Sequence, residues 1–69
     1  MEQIMSAHRV ITTLFGIEAL RDGTIILDGI GDVGEKYNGL WSFTNWADET
    51  YKDADIELPT RVLLESWER

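Results

Sequence analysis

Five carboxylates crowd into one ten-residue stretch: Asp48, Glu49, Asp53, Asp55 and Glu57, with Lys52 as the base among them. Three chemistries are open to such a cluster. Hard cations such as Ca²⁺ gather several oxygens, but at set intervals, and the spacing here matches no EF-hand loop. A basic partner protein would meet complementary charge. A surface imitating phosphate spacing could occupy the cleft of a nucleic-acid-binding protein. Against these stands the ordinary use of acids on an extended segment, a solvated edge that resists pairing with other sheets. Asp53, Asp55 and Glu57 alternate, so on an extended chain they would project from one side.

One aromatic residue, Tyr51, lies in the same stretch, and a second, Trp46, lies two residues before the stretch begins. Trp is enriched at interface hot spots, and Trp46 sits between Asn45 and Ala47 in polar surroundings. It is either a binding anchor or a lid over the core. The candidate partner-binding residues are therefore Trp46, Tyr51, Asp48, Glu49, Asp53, Asp55 and Glu57.

Catalytic chemistry has little to work with. The chain has no cysteine and a single histidine, His8. Thiolate metal sites, disulfides and Cys catalysis are excluded, and so is a His-rich metal site. A lone His beside Thr12, Thr13, Ser42 and Ser66 makes no triad signal. Gly29-Ile30-Gly31-Asp32-Val33-Gly34 matches the dinucleotide fingerprint in letters only. That fingerprint needs a helix to begin inside it, so that N-terminal amides meet the pyrophosphate. The next residues, Glu35-Lys36-Tyr37-Asn38-Gly39, read instead as a hairpin, and Asp28 and Asp32 would set negative charge beside the phosphates. No cofactor and no enzymatic activity are expected.

A net charge of −7 on 69 residues repels phosphate backbones and anionic lipid. Neither direct nucleic-acid binding nor membrane association is expected. Apolar runs such as Ile25-Ile26-Leu27 and Val62-Leu63-Leu64 are far too short to cross a bilayer. The start, Met1-Glu2-Gln3, lacks the basic opening of a signal peptide. With no cysteine, this leads to the expectation of a cytoplasmic protein.

The elements that must position these groups are short. The length predicts one domain over residues 1–69, with 1–9 a frayed or helical extension. A domain this small buries only ~60% of its unfolded surface, so its three Trp, two Tyr and two Phe matter. Self-association is the other available support. Residues 1–11 are loosely helical in spacing, and Leu14 to Leu20 suits a short helix, weakened by Gly16 and stopped by Gly23. Thr24 to Asp28 reads as a strand, and Asp28 to Asp32 as a turn.

Val33 to Phe43 reads as a hairpin around Asn38-Gly39, because a type I′ turn needs positive φ at both central residues. A two-residue loop sets Tyr37 opposite Leu40, Lys36 opposite Trp41, Glu35 opposite Ser42 and Gly34 opposite Phe43. Val33, Tyr37 and Leu40 then share one face, and Trp41 and Phe43 the other. Thr44 to Leu58 reads as an acidic loop and Thr60 to Glu65 as a last strand, which Trp67 would extend. The expected fold is α+β and mostly β. A short N-terminal helical segment accompanies a small twisted four-stranded antiparallel sheet or partly open barrel.

Several of these segments carry a resemblance. Leu20, Asp22-Gly23-Thr24, the strand Ile25-Ile26-Leu27, Gly31-Asp32-Val33, Glu35-Lys36 and Gly39-Leu40-Trp41 together resemble short proteins of actinobacteria and their phages, including mycobacteriophages. Leu58-Pro59-Thr60-Arg61-Val62-Leu63 resembles their closing strand, and the likeness covers about half the chain. Where that pattern often has an aromatic residue after Asp-Val, this chain has Gly34, and Phe43 opposite would fill the space. The resemblance implies a phage or phage-like accessory protein, acting in the host cytoplasm. Its first expected role is non-catalytic binding of a host protein. The alternatives are a small structural, self-assembling protein and an acidic nucleic-acid mimic.

Overall fold

The computed structural model describes residues 9–65, leaving aside the side chains of 46 and 47. In chain order it contains β1 (Val10–Ile11), α1 (Leu14–Glu18), β2 (Ile25–Leu27), β3 (Val33–Tyr37), β4 (Leu40–Phe43), β5 (Trp46–Tyr51), a 3₁₀ turn (Asp53–Asp55) and β6 (Thr60–Leu64). The strands form one six-stranded open sheet in the order β1-β6-β2-β3-β4-β5. Every pairing in it is antiparallel.

The hairpin takes the register that its turn dictates. Gly34 pairs with Phe43, Glu35 with Ser42, Lys36 with Trp41 and Tyr37 with Leu40. Asn38 and Gly39 have φ of 55° and 81°, the pair of positive values a two-residue loop requires. Side chains alternate accordingly. Gly34, Lys36, Trp41 and Phe43 are buried on the inner face, while Val33, Tyr37 and Leu40 are exposed on the outer one. A Cβ built on Gly34 would lie 2.8 Å from two atoms of the Phe43 ring. Phe43 therefore occupies the volume that a side chain at 34 would need.

The core lies on the inner face. Ile26, Val62, Trp41 and Phe43 come from the sheet, Ile17 from α1, and Leu20 and Ile56 from the loops that close over it. Ile11 of β1 completes the cluster. Thr13 caps α1, its side-chain oxygen accepting from the Gly16 amide at 3.1 Å. Gly16 costs the helix propensity, but it lets α1 close on β1, because a Cβ there would fall 2.6 Å from Ile11 Cγ2. The helix ends at Glu18 with Ala19 as its cap, short of Leu20 and of the expected stop at Gly23.

The sheet has six strands where four were expected, and neither extra strand obeys the local pattern. Val10 and Ile11, read as part of a loosely helical stretch, pair with Arg61 and Thr60. Ile11 turns its side chain into the core while Val10 stays exposed at the sheet edge, and residues 1–8 of that stretch lie outside the described residues. The segment read as an acidic loop contains β5, which pairs with β4 through Trp41–Tyr51 and Ser42–Thr50. The register then shifts, so that Phe43 faces Trp46. This irregularity breaks the period-two pattern that would have marked the strand. The sheet stays open, with β1 and β5 at its two edges, so the barrel alternative does not hold. Trp67, expected to extend the last strand, lies outside the described residues.

Candidate functional site

The acidic stretch separates into two arrangements on opposite sides of one 3₁₀ turn. Asp53 points inward. Its Oδ1 accepts from Trp41 Nε1 at 2.8 Å and lies 3.2 Å from Lys36 Nζ. The ammonium also donates to the Leu20 carbonyl at 2.9 Å and sits 5.7 Å from the Trp41 ring centroid. Lys36 is only 6% exposed, and a cation that deep is tolerated only when paired and hydrogen-bonded. Asp53 thus ties the turn to the sheet. The expectation that Asp53, Asp55 and Glu57 project together from an extended segment fails, because residues 53–55 coil into the 3₁₀ turn.

Asp55 and Glu57 face the other way, into a cleft of about 220 Å³. Its lining comprises Asp28, Ile30, Asp32, Phe43, Tyr51, Asp55 and Glu57. The floor is aromatic, with Phe43 and Tyr51 meeting edge to face at a centroid distance of 5.7 Å and 83° between planes. The walls are four carboxylates, and the lining includes no Lys or Arg.

The side chains of Asp28, Asp32 and Asp55 are held in the walls by hydrogen bonds, some local and some reaching across the fold. Asp28 Oδ1 accepts from the amides of Ile30 at 3.1 Å and Asp32 at 2.9 Å, closing the turn after β2 on itself. That turn is docked by the Gly29 amide, which donates to the Glu57 carbonyl at 2.8 Å. Asn45 Nδ2 donates to Asp32 Oδ1 at 3.1 Å. Asp55 Oδ2 accepts from the Lys52 amide at 3.1 Å, fixing the start of the 3₁₀ turn. The Tyr51 hydroxyl donates to Glu49 Oε1 at 2.8 Å. This bond, then burial and the negative charges of Glu49, Asp32 and Asp55, raise the Tyr51 pKa above its ordinary 10.0. The phenol accordingly remains a neutral donor beside the carboxylates.

The structure therefore sorts the residues singled out from sequence. Tyr51, Asp55 and Glu57 meet in the cleft, and Glu49 reaches it through the Tyr51 hydroxyl. Asp53 belongs to the buried clamp. Asp48 is exposed on edge strand β5. Trp46 lies in β5 and not in a polar loop; its side chain is outside the described residues. Asp28, Asp32, Ile30 and Phe43 were missed as site residues. The signal for Asp28 and Asp32 was present in the glycine-rich turn, where their charge counts against phosphate and equally in favour of a cation. Among the described residues no three His, Cys, Asp or Glu side chains are grouped to hold a metal ion. No helix among them is long and apolar enough to cross a membrane. Comparison of the chain with protein-family models, with curated proteins and with solved structures returned no match.

Proposed function

We propose that this chain is a non-catalytic protein-binding module, a phage-like accessory protein whose host partner presents a basic side chain to the acidic cleft. The observation that carries the reading is the cleft lining: four carboxylates around a Phe43–Tyr51 floor. A guanidinium is the group that fits both features. It stacks on an aromatic face and donates in a fork to carboxylates. The volume also limits the choice. At about 220 Å³ the cleft is smaller than the ~300–1,000 Å³ of small-molecule sites, and one long side chain fills it.

Magnitudes bound the role. An exposed ion pair contributes ~0–1 kcal/mol, and a cation–π contact ~0.5–2 kcal/mol. The cleft selects and orients a basic residue, while further contact area supplies most of the affinity. The net charge of −7 speeds encounter with such a partner and makes the rate salt-dependent.

The test is affinity capture from host lysate with the native chain and with the double variant Asp55→Asn/Glu57→Gln, each at low and high salt. A host protein held by the native chain and lost by the variant supports the cleft. If it is lost equally from both at high salt and held equally at low salt, the whole acidic surface is responsible, and the mimic reading replaces this one. Retention of further copies of the bait alone moves the self-assembling role to first place.

A further inference from the structure

The Asn38-Gly39 turn carries a second chemistry. An Asn before Gly is chemically labile, because the unhindered glycine amide nitrogen can attack the Asn side-chain carbonyl carbon. In that step the Gly39 nitrogen gives up its proton and bonds to Asn38 Cγ, and Nδ2 leaves as ammonia. Water then opens the resulting succinimide at either carbonyl, leaving aspartate or isoaspartate at 38. Both residues are exposed, so water and base reach them freely.

In this fold both backbone amides of the turn are engaged. The Asn38 amide donates to Asp22 Oδ2 and the Gly39 amide to Asp22 Oδ1, each at 3.0 Å. Successive amides in a left-handed turn form a small anion-binding nest, and here one carboxylate of the same chain fills it from sixteen and seventeen residues away. The α1–β2 loop that carries Asp22 is held against β3 by the Gly23 amide, which donates to the Lys36 carbonyl at 2.7 Å.

We propose that Asn38 is a spontaneous modification site and that Asp22 is the brake on it. The carboxylate acts in two ways. Its negative charge opposes loss of the Gly39 amide proton, the first event of the attack. Its paired hydrogen bonds keep the nitrogen directed at Asp22. Conversion at 38 undoes the arrangement, because a carboxylate there repels Asp22, and isoaspartate adds a backbone methylene to a loop whose two-residue length sets the register of Trp41 and Phe43.

The experiment incubates the native chain and Asp22→Ala in mildly alkaline buffer at body temperature. Peptide mapping by mass spectrometry tracks conversion at 38, and chromatography separates the two products. Far-ultraviolet circular dichroism and Trp fluorescence establish that the variant is folded. Asp22→Ala is expected to convert roughly tenfold faster, the factor carried by loss of one charge-assisted hydrogen bond. Asp22→Asn, which keeps an acceptor but no charge, is expected to fall between the two. Equal rates in native chain and folded Asp22→Ala would overturn the proposal. If Asp22→Ala does not fold, the native chain in buffer is compared with itself in denaturant. In addition Asp22→Asn takes the place of the alanine variant: conversion at 38 faster than in the native chain, with the native chain slower than its denatured form, supports the brake, and an Asp22→Asn rate equal to that of the native chain overturns it.

Discussion

Asp53 and Asp55 stand two residues apart and meet opposite surroundings. Asp53 turns beneath the 3₁₀ segment to a buried ammonium and an indole donor. Asp55 turns above it into a cleft whose lining includes no Lys or Arg. The difference teaches that acidic residue count says little about role. A carboxylate with a buried cation beside it is bound up in holding the fold, because separating the pair would strand a charge out of water. A carboxylate on an open wall, with others around it, has electrostatic attraction left for a partner. The proposed function rests on that division of labour, and the division can be tested by substitutions on its two sides.

The largest effect is expected where the clamp meets the core. Trp41→Ala or Phe43→Ala should cost about 3–5 kcal/mol, read as the urea midpoint by Trp or Tyr fluorescence. A loss below about 1 kcal/mol for Phe43→Ala would mean the ring does not fill the inner face. Next comes Asp53→Ala, which leaves Trp41 Nε1 and Lys36 Nζ without their shared acceptor. The side chain of Asp53 is 24% exposed, so water offsets part of the penalty, and about 1.5–3 kcal/mol is expected. Gly34→Ala should cost about 1–3 kcal/mol, since the new methyl overlaps the Phe43 ring. The same substitution in a Phe43→Ala background should cost much less, and a double-mutant cycle reads the coupling.

On the cleft side the stability effects shrink while the binding effects grow. Asp55→Asn and Glu57→Gln should each change stability by no more than about 0.5 kcal/mol, yet weaken capture of the partner. Equal stability losses at 53 and 55 would erase the distinction between clamp and cleft. The smallest change expected is spectroscopic. Glu49→Gln removes the main cause of the raised Tyr51 pKa, so its phenol should titrate closer to 10.0 in the ultraviolet absorbance. Because the folded pKa lies above the unfolded one, the Tyr51–Glu49 bond contributes in full below 10.0. It is lost as pH rises through the folded value.

How far the sequence reached depended on whether the determinant was local. Asn38-Gly39 specifies its own turn, and a two-residue loop leaves one register, so all four cross-strand pairs from Gly34–Phe43 to Tyr37–Leu40 were legible from it. Gly34 opposite Phe43 was legible for the same reason. The β5 strand was not, because Asp48 and Glu49 interrupt its apolar pattern and the shift between Ser42 and Phe43 breaks its alternation. Nor was β1, two residues long and defined only by pairing with β6, about fifty residues away in the chain. The site was legible in part. The acidic stretch and Tyr51 stood out, but the cleft also needs Asp28 and Asp32. Those reach it only because the Gly29 amide docks their turn on the Glu57 carbonyl, a contact no local pattern announces.

The most direct test of the central claim is a nuclear magnetic resonance titration of the native chain with a short capped peptide containing arginine. The account predicts amide shifts concentrated at Ile30, Asp32, Tyr51, Asp55 and Glu57, and their loss in Asp55→Asn/Glu57→Gln with the rest of the spectrum unchanged. Shifts spread evenly over every exposed carboxylate, Asp22 and Asp48 included, or shifts at the cleft that survive the double variant, would contradict it.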